Sequence, residues 1–182
     1  MKTESSAAYI ARLAITLLLI TAVVAAGLAC VNAVTAPEIE ALNAQKTQTA
    51  IEAVLPGGGE EIAFTDDSGI VSTIYKGQSG YAVEVTPAGF NGTVTMMVGV
   101  DNAGKVLGIS IVNHTETAGL GAEAASQGAA GTAFRSQFAG MSGSVSVKKD
   151  GGQVDALTGA TITSRAVCTG VNAALNAVAK LG

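Results

Sequence analysis

The chain has 182 residues, of which 13% are charged and 48% are hydrophobic, and its formal net charge is −4 with a sequence pI near 4.9. This length accommodates one domain of ordinary size with a small appendage, and it is too short for two independent cores of comparable size. The acidic balance excludes nucleic acid as a partner, because a protein that neutralises phosphates needs a basic face.

Residues 13–34 predict a transmembrane helix. The segment has no charged residue and, at about 1.5 Å per helical residue, it is long enough for the roughly 30 Å hydrocarbon core of a bilayer. A cleaved signal peptide has a shorter apolar core of about 7–15 residues. A lipoprotein cleavage site before Cys30 is also disfavoured, because Gly27 stands where such sites usually carry leucine. We therefore expect an uncleaved anchor, with residues 1–36 forming a short tip and the span.

The charges that flank the span predict its orientation. Lys2 and Arg12 precede the span, whereas the first charges after it are Glu38 and Glu40. Positive residues accumulate on the cytoplasmic side of membrane proteins. We therefore expect a cytoplasmic N-terminus, a single pass through the lipid of the cell membrane, and an extracytoplasmic position for the rest of the chain.

After the span, the pattern changes from helix to strand. Residues 36–55 have an incomplete helical period that Pro56 and the following glycines end, so residues 37–60 predict a connecting helix and loop. Short segments rich in β-branched residues or with alternating polarity follow, separated by glycine-containing turns. They predict a meandering antiparallel sheet with strands at residues 61–65, 70–76, 81–86, 93–100 and 106–113.

The C-terminal part of the chain predicts helices that cover this sheet. Residues 121–143, rich in Ala, Gly and Ser, predict a short helix interrupted by glycines, and residues 144–148 predict one more strand. Residues 163–180 predict the best amphipathic helix outside the membrane. The predicted fold class is therefore α+β, with residues 61–182 forming one domain in which an antiparallel sheet is backed by helices.

The cysteines and the histidine do not predict a metal centre or a disulfide. Cys30 falls in the span and Cys168 in the last predicted helix, so they are too far apart to pair. We interpret both as small buried hydrophobic residues. With one histidine and no C-x-x-C spacing, the chain alone is not expected to build a metal or iron–sulfur site.

The candidate chemistry is concentrated in a T-G-A-T run just before the last predicted helix. The run consists of Thr158, Gly159, Ala160 and Thr161. It brings hydroxyls, an unhindered glycine and exposed backbone N–H groups to a helix N-terminus, which favours an anion such as phosphate. Serine and threonine are also ordinary helix caps, so the run taken alone favours a structural role.

Two motifs in the right order resemble the FMN-binding domain family. The run D-x-x-T-G-A-T from Asp155 to Thr161 looks like the motif whose last threonine is esterified to FMN by a dedicated flavin transferase. The run H-T-E-T-A-G-L-G-A-E from His114 to Glu123 is similar to the family's H-x-E-T-P-G-L-G loop, with Ala118 where proline is common. The resemblance covers nearly the whole chain. It implies FMN joined covalently through its phosphate to Thr161, and a flavin transferase as maturation partner.

The resemblance also implies which residues surround the flavin. The backbone of residues 158–163 and the helix dipole would hold the phosphate, while the loop around Glu116 would lie close to the ring. For His114 we favour a loop-anchoring role, with a hydrogen bond to the flavin as the alternative. The implied cofactor-binding residues are Thr158, Gly159, Ala160, Thr161, Ile162, Thr163, His114, Glu116, Thr117, Gly119 and Leu120.

Within this family the chain resembles the G subunits of Rnf electron-transport complexes. The related C subunits of sodium-translocating NADH:quinone reductases share both motifs but are usually longer. Rnf complexes couple electron flow between reduced ferredoxin and NAD, or another acceptor, to pumping of sodium ions or protons. The resemblance implies an electron-relaying subunit that works beside other membrane subunits without independent catalytic activity. Two alternatives remain, an FMN subunit of another membrane redox chain, such as a quinone or terminal-acceptor reductase, and a non-redox extracytoplasmic assembly module.

Overall fold

The computed structural model describes residues 6–65 and 68–181. Lys2, which enters the predicted orientation, and Asp66 and Asp67, which belong to a predicted turn, lie outside the described residues. The elements in chain order are α1 (Ser6–Val54), β1 (Glu60–Ile62), β2 (Val71–Lys76), β3 (Gly80–Val85), β4 (Val94–Asp101), β5 (Val106–His114), a first 3₁₀ turn (Gly121–Ala124), α2 (Ala129–Ser136), a second 3₁₀ turn (Lys148–Asp150) and α3 (Thr161–Leu181).

Helix α1 joins two elements that the sequence predicts separately. The predicted span at residues 13–34 and the predicted helix at residues 36–55 form one continuous helix with Pro37 inside it. A proline removes one backbone hydrogen bond and can kink a helix without ending it. The most apolar 18-residue window of this helix has a mean hydropathy of 2.6 and no buried residue. By length and composition, α1 can cross a membrane.

The chain divides into two compact units, Met1–Ala44 and Gln45–Gly182. The second unit contains a five-stranded antiparallel sheet in the order β1-β2-β3-β4-β5, so each strand pairs with the next one along the chain. This confirms the predicted meander. Strand β1 is shorter than the segment predicted at residues 61–65.

Helices cover both faces of the sheet in the second unit. Successive side chains of a strand point to opposite faces. On one face Met96 and Val98 of β4 belong to a core cluster with Val171 of α3. On the other face Met97 of β4 packs with Val54 at the end of α1. Strand β4 is therefore buried on both sides and forms part of the middle of three layers.

The strand predicted at residues 144–148 does not form, and this prediction is wrong. The segment makes an isolated parallel bridge between Val147 and Val154. The Val145 N–H donates to Asn172 Oδ1 at 2.8 Å, and Asn172 Nδ2 donates to the Val145 carbonyl oxygen at 2.8 Å. An asparagine amide of α3 thus takes the place of a partner strand. Val145 and Val147 are both buried in the core shared with α3, which explains the strand-like alternation.

The predicted helices in the C-terminal part of the chain are present. Helix α2 lies within the predicted 121–143 segment, and Phe134 and Phe138 pack edge to face with ring centroids 5.4 Å apart. Helix α3 begins two residues before the predicted 163–180 segment, which makes Thr161 its first residue.

The two cysteines have different environments. Cys168 is buried in α3 as predicted, and burial, with a smaller effect of the Asp150 charge, raises the pKa of its thiol to about 11. Cys30 is exposed on α1, so its prediction as a buried residue is wrong. Its neighbours Leu28 and Val31 are exposed as well. This part of α1 therefore has an apolar surface that no other part of the described chain covers.

The facing glycines Gly99 of β4 and Gly108 of β5 test the contact between α1 and the sheet. A Cβ at Gly99 would overlap the backbone carbonyl oxygen of Val54, whereas a Cβ at Gly108 would meet nothing within 4 Å. We expect Gly99→Ala to lower the free energy of unfolding by about 1–3 kcal/mol, because the end of α1 must move. Gly108→Ala should be neutral or stabilising. Urea unfolding of both variants measures the difference, and equal stabilities would contradict this contact.

Candidate functional site

Thr161 is the first residue of α3, so the predicted flavin acceptor stands at a helix N-terminus. Gly159 in the preceding loop has a φ of +74°, a left-handed conformation that glycine adopts without strain. The Ser164 hydroxyl accepts from the Leu157 N–H at 3.0 Å and donates to the Ala160 carbonyl oxygen at 2.9 Å. Ser164 therefore holds the loop in place. Sequence reasoning missed it, because a serine in the first turn of a helix gives no signal of a contact to a preceding loop.

A cavity of about 320 Å³ opens at Thr161. Its walls come from both predicted motifs, which are distant in sequence and are brought together by the fold. The predicted site residues that line it are Glu116, Thr117, Leu120, Gly159, Ala160, Thr161, Ile162 and Thr163.

Some predicted site residues lie outside this cavity. Gly119 and Thr158 line a neighbouring cavity of about 510 Å³, to which Leu120 also contributes, and His114 lines neither one. A larger cavity of about 670 Å³ lies around Tyr81 and Asn172 and contains none of the predicted residues. The site is therefore defined by the motifs and not by cavity size.

Three apolar side chains form a rim around the cavity at Thr161. Phe90, Leu120 and Ile162 are 66%, 44% and 48% exposed, respectively, and all three line the cavity. Grouped exposed apolar side chains indicate a ligand or partner site. Sequence reasoning missed Phe90, which lies in the P-A-G-F-N-G turn between β3 and β4. The available signal was an aromatic residue in a glycine-containing turn, where no core position is expected.

Glu116 is a buried carboxylate that connects three segments. Its Oε1 accepts from the backbone N–H groups of Phe90 at 2.9 Å and Asn91 at 3.0 Å, and its Oε2 accepts from the Thr163 hydroxyl. Burial acts to raise the pKa of Glu116, but the hydrogen bonds from Thr163, Asn91 and Phe90 outweigh it and hold the pKa below its ordinary value. The residue is therefore a charged anchor of the site.

Two neighbours, His114 and Gly121, help to hold Glu116 in this position. The Glu116 N–H donates to His114 Nδ1 at 3.2 Å, so the histidine contacts its own loop. A Cβ at Gly121 would overlap both Glu116 Oε2 and Thr163 Oγ1. The absence of a side chain at Gly121 therefore leaves room for the hydrogen bond between Glu116 and Thr163.

The second 3₁₀ turn places a cation beside the predicted acceptor. Lys149 Nζ lies 3.3 Å from Thr161 Oγ1. Arg165, in the first turn of α3, donates to both carboxylate oxygens of Asp150 at 2.7 and 2.6 Å. Arg165 thus attaches to α3 the turn that carries Lys149.

The other side of this turn is tied to Asp155, the first residue of the D-x-x-T-G-A-T motif. Lys148 Nζ lies 2.7 Å from Asp155 Oδ2. The side-chain amide of Gln137 donates to the Asp155 carbonyl oxygen at 3.2 Å and accepts from its N–H at 2.8 Å. Neighbouring lysines thus have different contacts, a distinction that the K-K-D sequence does not show.

Replacing Glu116 by glutamine tests its anchoring role. A lowered pKa in the folded chain means that the charged carboxylate stabilises the fold fully above its ordinary value of 4.5 and loses this effect as the pH falls through the lowered pKa. We expect Glu116→Gln to cost about 1–3 kcal/mol at neutral pH and to weaken the decline of stability below pH 4.5. Thermal unfolding across this pH range measures both effects. Glu123→Gln, at a half-buried position in the first 3₁₀ turn, should keep the wild-type pH profile. A wild-type profile in Glu116→Gln would contradict the role.

The chain is similar to known proteins over most of its length. The family model of the FMN-binding domain matches residues 89–176. The chain is 34% identical to the G subunit of the Na(+)-translocating ferredoxin:NAD(+) oxidoreductase complex of Acetobacterium woodii, over 88% of this chain and 87% of the relative. It is 31% identical to the G subunit of the ion-translocating oxidoreductase complex of Methanosarcina acetivorans, over 93% of this chain and 94% of the relative.

A third relative matches over a shorter region. The G subunit of the proton-translocating ferredoxin:NAD(+) oxidoreductase complex of Clostridium ljungdahlii is 40% identical over 54% of this chain and 52% of its own length. The matched FMN-binding region includes Phe90, Glu116, Lys149 and Thr161, so the site described above lies inside it. The chain therefore belongs to the family of G subunits of ion-translocating oxidoreductase complexes and contains an FMN-binding domain.

Proposed function

We propose that this electron-transfer subunit carries FMN joined covalently, through its phosphate, to the hydroxyl oxygen of Thr161. The observation that carries the proposal is the cavity at this residue, where a hydroxyl at a helix N-terminus opens on a space with an apolar rim. FMN has the same division, because a planar and largely apolar ring is connected to an anionic phosphate. The residues present therefore fit this cofactor.

The start of α3 suits the phosphate end of FMN. Thr161 is the first residue of a helix of 21 residues. The first N–H groups of a helix have no intrahelical partner, and the helix dipole favours an anion beside them. An ester at the Thr161 oxygen would keep the phosphate next to these groups, and a covalent bond prevents loss of the cofactor between turnovers.

The apolar rim suits the ring end. Phe90, Leu120 and Ile162 offer aromatic and aliphatic surface, and FMN supplies the electron transfer when it is bound. The cavity volume of about 320 Å³ is at the lower end of the roughly 300–1,000 Å³ of ligand pockets. Part of a flavin would therefore stay outside the cavity, where a redox partner can approach it.

The chain would act as one relay among the membrane subunits of an Rnf-type complex. The names of its relatives in Acetobacterium and Clostridium include ferredoxin and NAD as redox partners. In α1 the hydroxyls of Thr16, Thr21 and Thr35 donate to carbonyl oxygens one turn earlier, at 2.8, 3.0 and 3.0 Å. Because these hydroxyls already form hydrogen bonds within the helix, we place the ion path in other subunits.

Attachment would require a flavin transferase as a maturation partner. Thr161 is half-buried, and Ile162 beside it is exposed, so an enzyme can approach the hydroxyl from solvent. The loop before α3 is fixed by Ser164 and Gln137, which presents the D-x-x-T-G-A-T motif in one conformation. A fixed loop lowers the conformational cost of recognition.

The proposed orientation places residues after Pro37 on the extracytoplasmic face. A protease applied to intact spheroplasts should then digest the segment that follows α1, because the charges around the span favour a cytoplasmic N-terminus. Immunoblotting with antibodies against the C-terminal helix measures the digestion. Inverted vesicles serve as the control and should protect the segment. Digestion from the cytoplasmic side alone would contradict the orientation.

Thr161→Ala tests the covalent attachment at a single atom. We expect complete loss of the covalent flavin, because the acceptor oxygen is removed, and a domain that stays folded, because the position is only half-buried. Intact-mass analysis and flavin fluorescence in a denaturing gel, on protein from its native host, measure the cofactor.

Two further variants sharpen this test. Thr161→Ser keeps a hydroxyl and should retain some flavin, and Thr158→Ala leaves the acceptor in place. Thr163→Ala is a poorer control, because it removes the hydrogen bond to Glu116. Flavin located on Thr158 by peptide mass mapping, or undiminished flavin in Thr161→Ala, would refute the assignment. A wild-type chain without flavin would favour a non-redox assembly role.

A further inference from the structure

The three cations around the second 3₁₀ turn are not equivalent. Lys148 pairs with Asp155 and Arg165 pairs with Asp150. Among the described residues, no ion pair holds Lys149. Its ammonium group instead lies 3.3 Å from Thr161 Oγ1, and its side chain lines the cavity at that residue.

The turn that carries Lys149 is held from two sides. The bidentate pair between Arg165 and Asp150 attaches the turn to the first turn of α3, the helix that also carries Thr161. The turn ends at Gly151, whose φ of +81° is a left-handed conformation, and the chain then returns to the bridge between Val147 and Val154. The ion pair between Asp150 and Arg165 therefore keeps Lys149 next to Thr161, although twelve positions separate the two residues in the sequence.

We propose that Lys149 is the counter-ion of the flavin phosphate, an inference that rests on the proposed attachment at Thr161. An ammonium group within hydrogen-bond distance of the ester oxygen is also close to the phosphate oxygens that share its phosphorus. Lysine binds phosphate as a point charge through charge-assisted hydrogen bonds. Arg165 and Lys148 act as positioning residues, because their ion pairs hold the turn.

A cycle of variants in the full chain tests this role. Lys149→Met removes the charge and keeps much of the stem, and Lys180→Met, at an exposed position in the last turn of α3, is the control. Each is made in the flavinylated wild-type background and in the Thr161→Ala background, which lacks the acceptor. The measurements are the unfolding temperature and the ³¹P NMR resonance of the phosphoester in a phosphate-free detergent.

If Lys149 contacts the phosphate, Lys149→Met lowers the unfolding temperature of the flavinylated chain more than that of the Thr161→Ala chain, by about 2–4 °C. Added salt shrinks this difference, because it screens the charge pair. The ³¹P resonance shifts in Lys149→Met and stays in place in Lys180→Met. Lys149→Arg, which keeps the charge, restores most of the wild-type behaviour.

Other outcomes separate the two proposals. Equal effects of Lys149→Met in both backgrounds, with an unmoved ³¹P resonance, overturn the counter-ion role and leave the attachment at Thr161 intact. If the Lys149→Met chain takes up no flavin and Lys149→Arg does not restore flavin attachment, the flavin transferase recognises the shape of the lysine side chain. The counter-ion role is then wrong. A wild-type chain that carries no flavin at Thr161 overturns the proposed attachment and the counter-ion role together.

Discussion

The buried carboxylate of Glu116 is the interaction on which the site depends. It joins the turn before β4, the loop after β5 and the first turn of α3, because it accepts hydrogen bonds from Phe90, Asn91 and Thr163. A buried charge that loses a partner is strongly destabilising, so the three segments are held as a unit. Because Gly121 has no side chain, there is room for the hydrogen bond between Glu116 and Thr163. The geometry of the cavity is thus a consequence of one anion and its donors.

The layered fold decides where this unit sits. A Cβ at Gly170 would overlap the Cε of Met96 and lie 3.0 Å from Pro87 Cγ, so a glycine lets α3 approach the sheet closely. The opposite face of β4 contacts the end of α1. The packing of α3 against the sheet therefore positions the start of this helix. Thr161 lies next to the loop of Glu116 because of this packing, and not because of contacts made by its own side chain.

Local patterns were enough to predict much of this structure from the sequence. Alternation and turn residues predicted the antiparallel meander, and the T-G-A-T run predicted a helix N-terminus at Thr161. Residues whose role arises from distant contacts were not predictable in this way. Phe90 and Lys149 line the cavity because the sheet and the second 3₁₀ turn bring them next to Thr161. The wrong strand at residues 144–148 has the same origin, because the Asn172 amide that replaces a partner strand comes from α3.

The burial of Cys168 has a consequence for side reactions. It lies about two helical turns beyond Thr161, and its pKa of about 11 leaves a thiolate fraction on the order of 10⁻⁴ at pH 7. Thiolates are the form that peroxide oxidises and that exchanges with disulfides. The buried, protonated thiol of Cys168 is therefore a poor substrate for both reactions, which protects the core beneath α3 from oxidation.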